Sequence, residues 1–206
     1  MSIVTYNNRS IANISAIPGA AKSLTHIKTL TASSSSTLSF VDGSSDVVLD
    51  STYPIYLFKF IGIHPATQGV GFSFQANASG GSGYNETITS TYFKAYHNEV
   101  GSDSALAYDT THDQAQGTSF QTLMAYVDNQ NDDVGNGELF IFNPSSTTFV
   151  KHFISKSAYS YSRPYAGNDF VAGYFNTTSA IDEFQFKMSS GNIDAGTIKL
   201  YGIKDS

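Results

Sequence analysis

No cysteine occurs in the 206-residue chain, and charge is scarce: charged side chains make up 14% of it, against roughly 25% in soluble domains generally. The missing thiols exclude disulfides, thiolate metal sites and cysteine nucleophiles together. They also leave the redox compartment open between a cytosolic protein and a particle component released by lysis. Basic residues are few, 11 Lys and Arg against 17 Asp and Glu for a net charge of −6, and they are scattered. Nucleic-acid binding needs a basic patch that neutralises phosphates, so that function is set aside, and anionic membranes with it. No apolar run approaches the ~20 residues of a membrane span. No repeat of 20–50 residues is visible, which argues against a solenoid or a propeller.

Ser, Thr, Asn and Gly stand where charges are missing, and apolar residues make up 40% of the chain, enough for a core. From about residue 24 onward, alternation with period two dominates. In "GFSFQANAS", Phe72, Phe74 and Ala76 point one way and Ser73, Gln75 and Asn77 the other, the pattern of a half-buried strand. "DEFQFKM" and "GTIKLYGIK" repeat it, whereas "YPIYLFKFIGI" is apolar on both faces and reads as a central strand covered on both sides. "ELFIFN" and "TTFVKHFIS" flank an Asn143-Pro144-Ser145-Ser146 turn. Strands are also expected in "SLTHIKTLT", "TLSFV", "ETITSTYFKAY", "SFQTLMAYV" and "NDFVAGYF". "SDSALAYDTTHDQAQG" lacks a helical stripe and reads as a loop or short turn. The expected fold is all-β: an antiparallel two-sheet β-sandwich, jelly-roll-like. A single domain is expected over residues 21–206, preceded by an extended arm over residues 1–20 that ends at Pro18-Gly19.

Chemistry-bearing motifs are thin. The five histidines are dispersed, with no HxH or HExxH spacing. In "DNQNDDVGNG", Asp128, Asp132 and Asp133 offer hard oxygen ligands of the kind Ca²⁺ takes. However, Gln130 and Asp133 break the EF-hand pattern and no Glu closes it, so a solvated hairpin loop containing Asn136-Gly137 is the plainer reading. "ASGGSGYN" lacks the Lys of a phosphate loop and has Tyr84 where a nucleophile elbow needs Gly. Asp169, Asp182 and Glu183 could serve a glycosidase in principle, but nothing singles them out. No catalytic signature and no cofactor motif emerges. The aromatics say more. "KSAYSYSRPYAGNDF" gathers Tyr159, Tyr161, Arg163 and Tyr165 in what reads as a loop region, and Tyr, Arg, Ser and Gly are residues that adaptable contacts use. A subunit contact, a glycan contact and surface packing are all open.

The opening "MSIVTYNNRSIANISAIPG" has no basic n-region, and polar residues interrupt each apolar run, so no signal peptide is expected. Asn and Ser also disfavour a helix. Ile3, Tyr6, Asn7, Asn8, Arg9, Ile11 and Ile14 read as an assembly arm. "VTYNNRSIANISAIPG", "TASSSSTLSF", "YPIYLFKFIGIHPAT", "STYFKAYHNE", "GELFIFNPSSTTFVKHF" and "FQFKMSSGNIDAGTIKLYGIK" together resemble a family of small virion-associated proteins of marine tailed phages, cyanophages included. The resemblance covers almost the whole chain and carries over no catalytic residue. It implies a non-enzymatic structural protein at the virion surface, assembled in the host cytoplasm, with a capsid decoration role foremost. A tail-fibre or receptor-binding module on a host glycan is the alternative. The implied partners are major capsid or tail proteins and further copies of the chain, with a trimer as the expected oligomer.

Overall fold

The computed structural model describes residues 23–161 and 164–204, and none of them is helical. The arm expected over residues 1–20, with Ile3, Tyr6, Asn7, Asn8, Arg9, Ile11 and Ile14, lies outside the described residues, as does Arg163. Thirteen strands follow one another: β1 Leu24–Thr31, β2 Leu38–Val41, β3 Ile55–Pro65, β4 Val70–Ala78, β5 Ile88–Asn98, β6 Ser104–Tyr108 and β7 Ala115–Gly117. Then come β8 Gln121–Val127, β9 Gly135–Phe142, β10 Lys151–Tyr161, β11 Tyr165–Phe175, β12 Ile181–Met188 and β13 Ile193–Ile203.

All pairings are antiparallel. Hydrogen bonding runs in the order β1-β13-β3-β9-β10-β8-β4-β12-β2, and the large sheet curls until it is nearly closed, barrel-like. Beside β10 the sheet also continues outward through β11 and β5, with β6 and β7 on the far side of β5. The link between β10 and β8 is slight: one paired position, Tyr161 with Val127, and the Asp128 amide donating to the Ser160 carbonyl at 3.3 Å. The ladder is therefore continuous where two separate sheets were expected, but it passes through a narrow corner.

Period-two alternation brings the aromatic rings into one core. Phe186 on β12 sits at its centre, 5.1 Å from the Phe58 ring, 5.4 Å from Phe60, 5.9 Å from Phe72 and 6.1 Å from Phe40. Edge-to-face and offset geometries of this kind add to plain area burial. Phe74 extends the core toward β10 and β11 through Phe153 and Phe175. The Asn143–Ser146 turn forms as the sequence predicts, with Asn143 at φ 48° and the Ser146 amide donating to the Asn143 carbonyl.

Four local expectations are corrected. β4 is buried at every position, not on one face. Its polar side is roofed by the segments around Glu86 and Thr118, and the Gln75 side-chain amide donates to the carbonyls of Glu86, Thr118 and Ser119. The expected loop at 102–117 contributes β6 and β7, because both lie along β5 and satisfy its backbone. Asn136-Gly137 falls inside β9, not in a hairpin turn, and the Asn136 side chain accepts from the Gly62 amide. The segment holding Tyr159, Tyr161 and Tyr165 is a long two-stranded ladder, with Tyr161 directly opposite Tyr165.

Candidate functional site

Alternation along β10 turns Tyr159 and Tyr161 to its inner side, the side that carries the buried Ser155 and Ser157. Opposite Tyr159 stands Gly167, and a β-carbon there would come within 3.0 Å of the Tyr159 ring. The missing side chain on β11 is what lets the ring lie across it. Tyr159 is buried, while Tyr161 and Tyr165 are half-buried. The structure thus brings these three predicted tyrosines together, and it adds residues from three other segments.

The Tyr161 ring lies 5.1 Å from Tyr126 on β8, 5.9 Å from Tyr96 on β5 and 5.7 Å from Tyr165. Tyr126 in turn meets His112 edge-on at 5.4 Å, and His112 tilts against the buried Tyr92 at 5.2 Å. Lys94 reaches over the Tyr126 ring, its Nζ 5.6 Å from the centroid, a cation–π contact. The same Nζ donates to Asp109 Oδ2 at 2.8 Å, and His112 Nδ1 lies 3.1 Å from that oxygen. Burial works to raise the Asp109 pKa, yet hydrogen bonds from Lys94, from the Thr111 hydroxyl and amide and from His112 hold it well below the usual carboxylate range. Beneath the cluster, Asp169 is fully buried, and its Oδ2 accepts from the Tyr92 hydroxyl at 2.5 Å and from the Ala125 amide at 2.9 Å. Its Oδ1 has no hydrogen-bond partner among the described residues. Desolvation, opposed only in part by the Tyr92 and Tyr159 hydroxyls and the Ala125 amide, pushes its pKa upward.

The arrangement offers half-exposed aromatic rings beside one cation and one anion. Such a group can stack on the apolar face of a sugar ring and hydrogen-bond its hydroxyls. Tyr96, Tyr126, Lys94, Asp109 and His112 were not singled out from the sequence. The alternation Tyr92-x-Lys94-x-Tyr96 was a usable signal for one strand, but its juxtaposition with Tyr126 and Asp109 depends on pairing between distant segments.

The remaining predicted residues do not converge on a site. Asp128 and Asp133 are buried and Asp132 is exposed, so the stretch is not a wholly solvated loop. Among the described residues no group of three His, Cys, Asp or Glu side chains could hold a metal ion. Of the carboxylates considered for a glycosidase, Asp169 is sealed from solvent and Glu183 on β12 accepts from the Tyr84 hydroxyl at 2.8 Å.

A second surface is larger. One cross-strand row over seven strands reads Lys199, Lys59, Glu138, Lys156, Phe170, Phe93, Tyr108. The next row reads Tyr201, Leu57, Phe140, Ile154, Ala172, Thr91. These side chains lie on the outer side of the sheet, where Leu57 is buried among its neighbours but Ile154 is 51% exposed, Phe93 40% and Ile61, on the same side of β3, 46%. Phe93 and Phe170 stack at 5.0 Å, and Lys59 pairs with Glu138 at 3.6 Å. β3 is therefore apolar on two faces, as the sequence indicates, yet its second face reaches solvent at Ile61 instead of being covered along its length.

Comparisons with family models, with curated proteins and with solved structures gave no match.

Proposed function

We propose that the chain is a non-enzymatic structural subunit of a tailed-phage virion, most of all a capsid decoration protein at the particle surface. The observation that carries this reading is the broad apolar face across β3, β9, β10, β11 and β5, crossed by one row of charges. Contiguous exposed apolar surface on this scale marks an interaction face, and a shell protein works by burying such area across subunits. The scarcity of charge in the sequence and its resemblance to virion proteins agree with that role. In this reading, residues 1–20 form the segment that joins a neighbouring particle protein.

The architecture favoured by the same reading is a jelly roll. The runs β1-β13-β3-β9 and β2-β12-β4-β8 are then its two four-stranded layers. Rings of β2, β4 and β12 meet those of β3 between the layers. β5, β6, β7, β10 and β11 extend the first layer sideways.

The experiment is quantitative mass spectrometry of purified virions. A copy number that is a simple fraction of the major capsid protein supports decoration, and absence from the particle overturns it. Deleting residues 2–18 should leave a folded protein that no longer joins particles.

The tyrosine cluster favours a second reading, a tail module that contacts a host-surface glycan. A few tens of copies per particle, together with glycan-array binding abolished by Tyr161→Ala, would support it over decoration.

A further inference from the structure

We infer that the outer face of β13, β3, β9, β10, β11 and β5 is covered by a second copy of the same chain, the two sheets lying face to face about a two-fold axis that runs along the strands between β9 and β10. This deepens the reading as an assembly subunit and rests on it in so far as both use this face.

The argument for a copy comes from the register. Rotation about an axis parallel to the strands keeps each cross-strand row in place and reverses its order. In the charged row, Glu138 then faces Lys156 of the second copy, and Lys156 faces Glu138. Lys59 falls opposite Phe170 and Lys199 opposite Phe93, so both remaining cations meet aromatic rings rather than like charges. The apolar row is matched at its centre by the same operation, which sets Phe140 against Ile154. An axis displaced by one strand, between β3 and β9, would set Lys199 against Lys156. The pattern thus favours one two-fold arrangement over its nearest neighbour, which a generic sticky face would not do.

The size also fits. With strands about 4.8 Å apart and about 3.4 Å of rise per residue, the six strands from β13 to β5 that this axis superposes, taken over seven residues, give a footprint of roughly 700 Å² per copy. Side-chain relief raises the accessible area above this flat value, toward the ~800 Å² per partner of a standard stable interface. Depressions of about 280 Å³ between Phe93, Phe140, Ile154 and Phe170 and about 500 Å³ between Thr91, Ile154, Ala172 and Tyr174 flank Ile154. They provide holes for side chains of the facing sheet, as in the interior of a β-sandwich. The inference favours pairing in place of the trimer expected from the sequence.

The test is light-scattering mass of the purified full chain over a range of concentrations. The expected mass is twice the 22.2 kDa of the chain. Ile154→Lys, at an exposed position, should give a monomer with an unchanged melting profile, and Glu138→Lys should weaken the pair at least tenfold. The decisive variant is Glu138→Lys combined with Lys156→Glu, which restores the facing charges and should restore the dimer. A mass of one chain or of three overturns the inference, as does a dimer indifferent to Ile154→Lys or an unrescued charge swap. A monomer that associates only after residues 1–22 are removed also overturns it, because that segment would then be the occupant. Copy number on virions is independent of all these outcomes, so the reading as a virion subunit and this pairing can fail separately.

Discussion

Tyr92 on β5 donates its hydroxyl proton to Asp169 on β11 at 2.5 Å, in a site where the carboxyl is wholly removed from solvent. The contact ties the outer extension of the sheet to β8, because the same Oδ2 accepts from the Ala125 amide. It also makes stability depend on pH. Asp169 has a pKa raised above 3.8 by burial, so the folded state holds this proton more tightly than the unfolded chain does. Its contribution to stability is complete below the ordinary carboxylate range and is lost as pH rises through the raised value. Asp169→Asn should flatten that loss in denaturation curves measured across pH; an unchanged slope would refute the assignment. Tyr92→Phe removes a donor from a buried carboxyl and should cost about 1–3 kcal/mol.

Asp109 behaves in the opposite sense. Its pKa lies below 3.8 despite burial, because Lys94, Thr111 and His112 bind the charged form. The stability it contributes is present above the ordinary carboxylate range and is lost as pH falls. Asp109→Asn should destabilise by about 2 kcal/mol at neutral pH, and the difference from the parent should shrink in acid. A difference that persists at the lowest pH would point to packing instead of charge.

The aromatic core makes a sharper prediction. Phe186 meets Phe40, Phe58, Phe60 and Phe72, and no part of it reaches solvent. Phe186→Ala should cost about 3–5 kcal/mol in urea unfolding, the range for a large buried ring replaced by a cavity. Phe149→Ala, at a site 69% exposed, should change stability by no more than about 0.5 kcal/mol.

Gln75 separates the sequence reading from the structure directly. On a solvated strand face Gln75→Leu would be nearly neutral. Here the side-chain amide holds three carbonyls, and leaving buried acceptors unpaired costs about 1–3 kcal/mol for such a group. The expected result is a loss of that size, with faster amide exchange around Glu86 and Ser119.

Alternation was enough to read the strands other than β6 and β7, and Phe184, Phe186, Ile198 and Leu200 all lie on the faces their spacing indicates. It failed where chemistry on one strand depends on a distant segment. Nothing around Gln75 announces the carbonyls that cover it, and nothing in "SALAY" announces that β5 offers it a free edge. The tyrosines of the candidate site were legible as a composition, in a segment taken for a loop. Their setting was not, because Tyr126, Lys94 and Asp109 reach them through pairings of β5, β8 and β11 that leave no local trace. The outer face was visible in "YPIYLFKFIGI" as a strand apolar on both sides.

The positions of β12 and β13 set a timetable. β13 lies between β1 and β3, and β12 between β2 and β4, so among the described strands β1 and β2 have no other ladder partner. A chain that has emerged through β11 already holds β3, β4, β8 and β9, yet it has two empty lanes, each a strand wide, with unpaired amides and carbonyls on both banks. Leu24 must wait for Ile203, and Phe40 for Phe184. Such distant closures make folding slow, and an open lane invites any passing strand. The interval between synthesis of β2 and arrival of β13 is therefore when this protein is most exposed to mispairing, and when a chaperone would matter most to it.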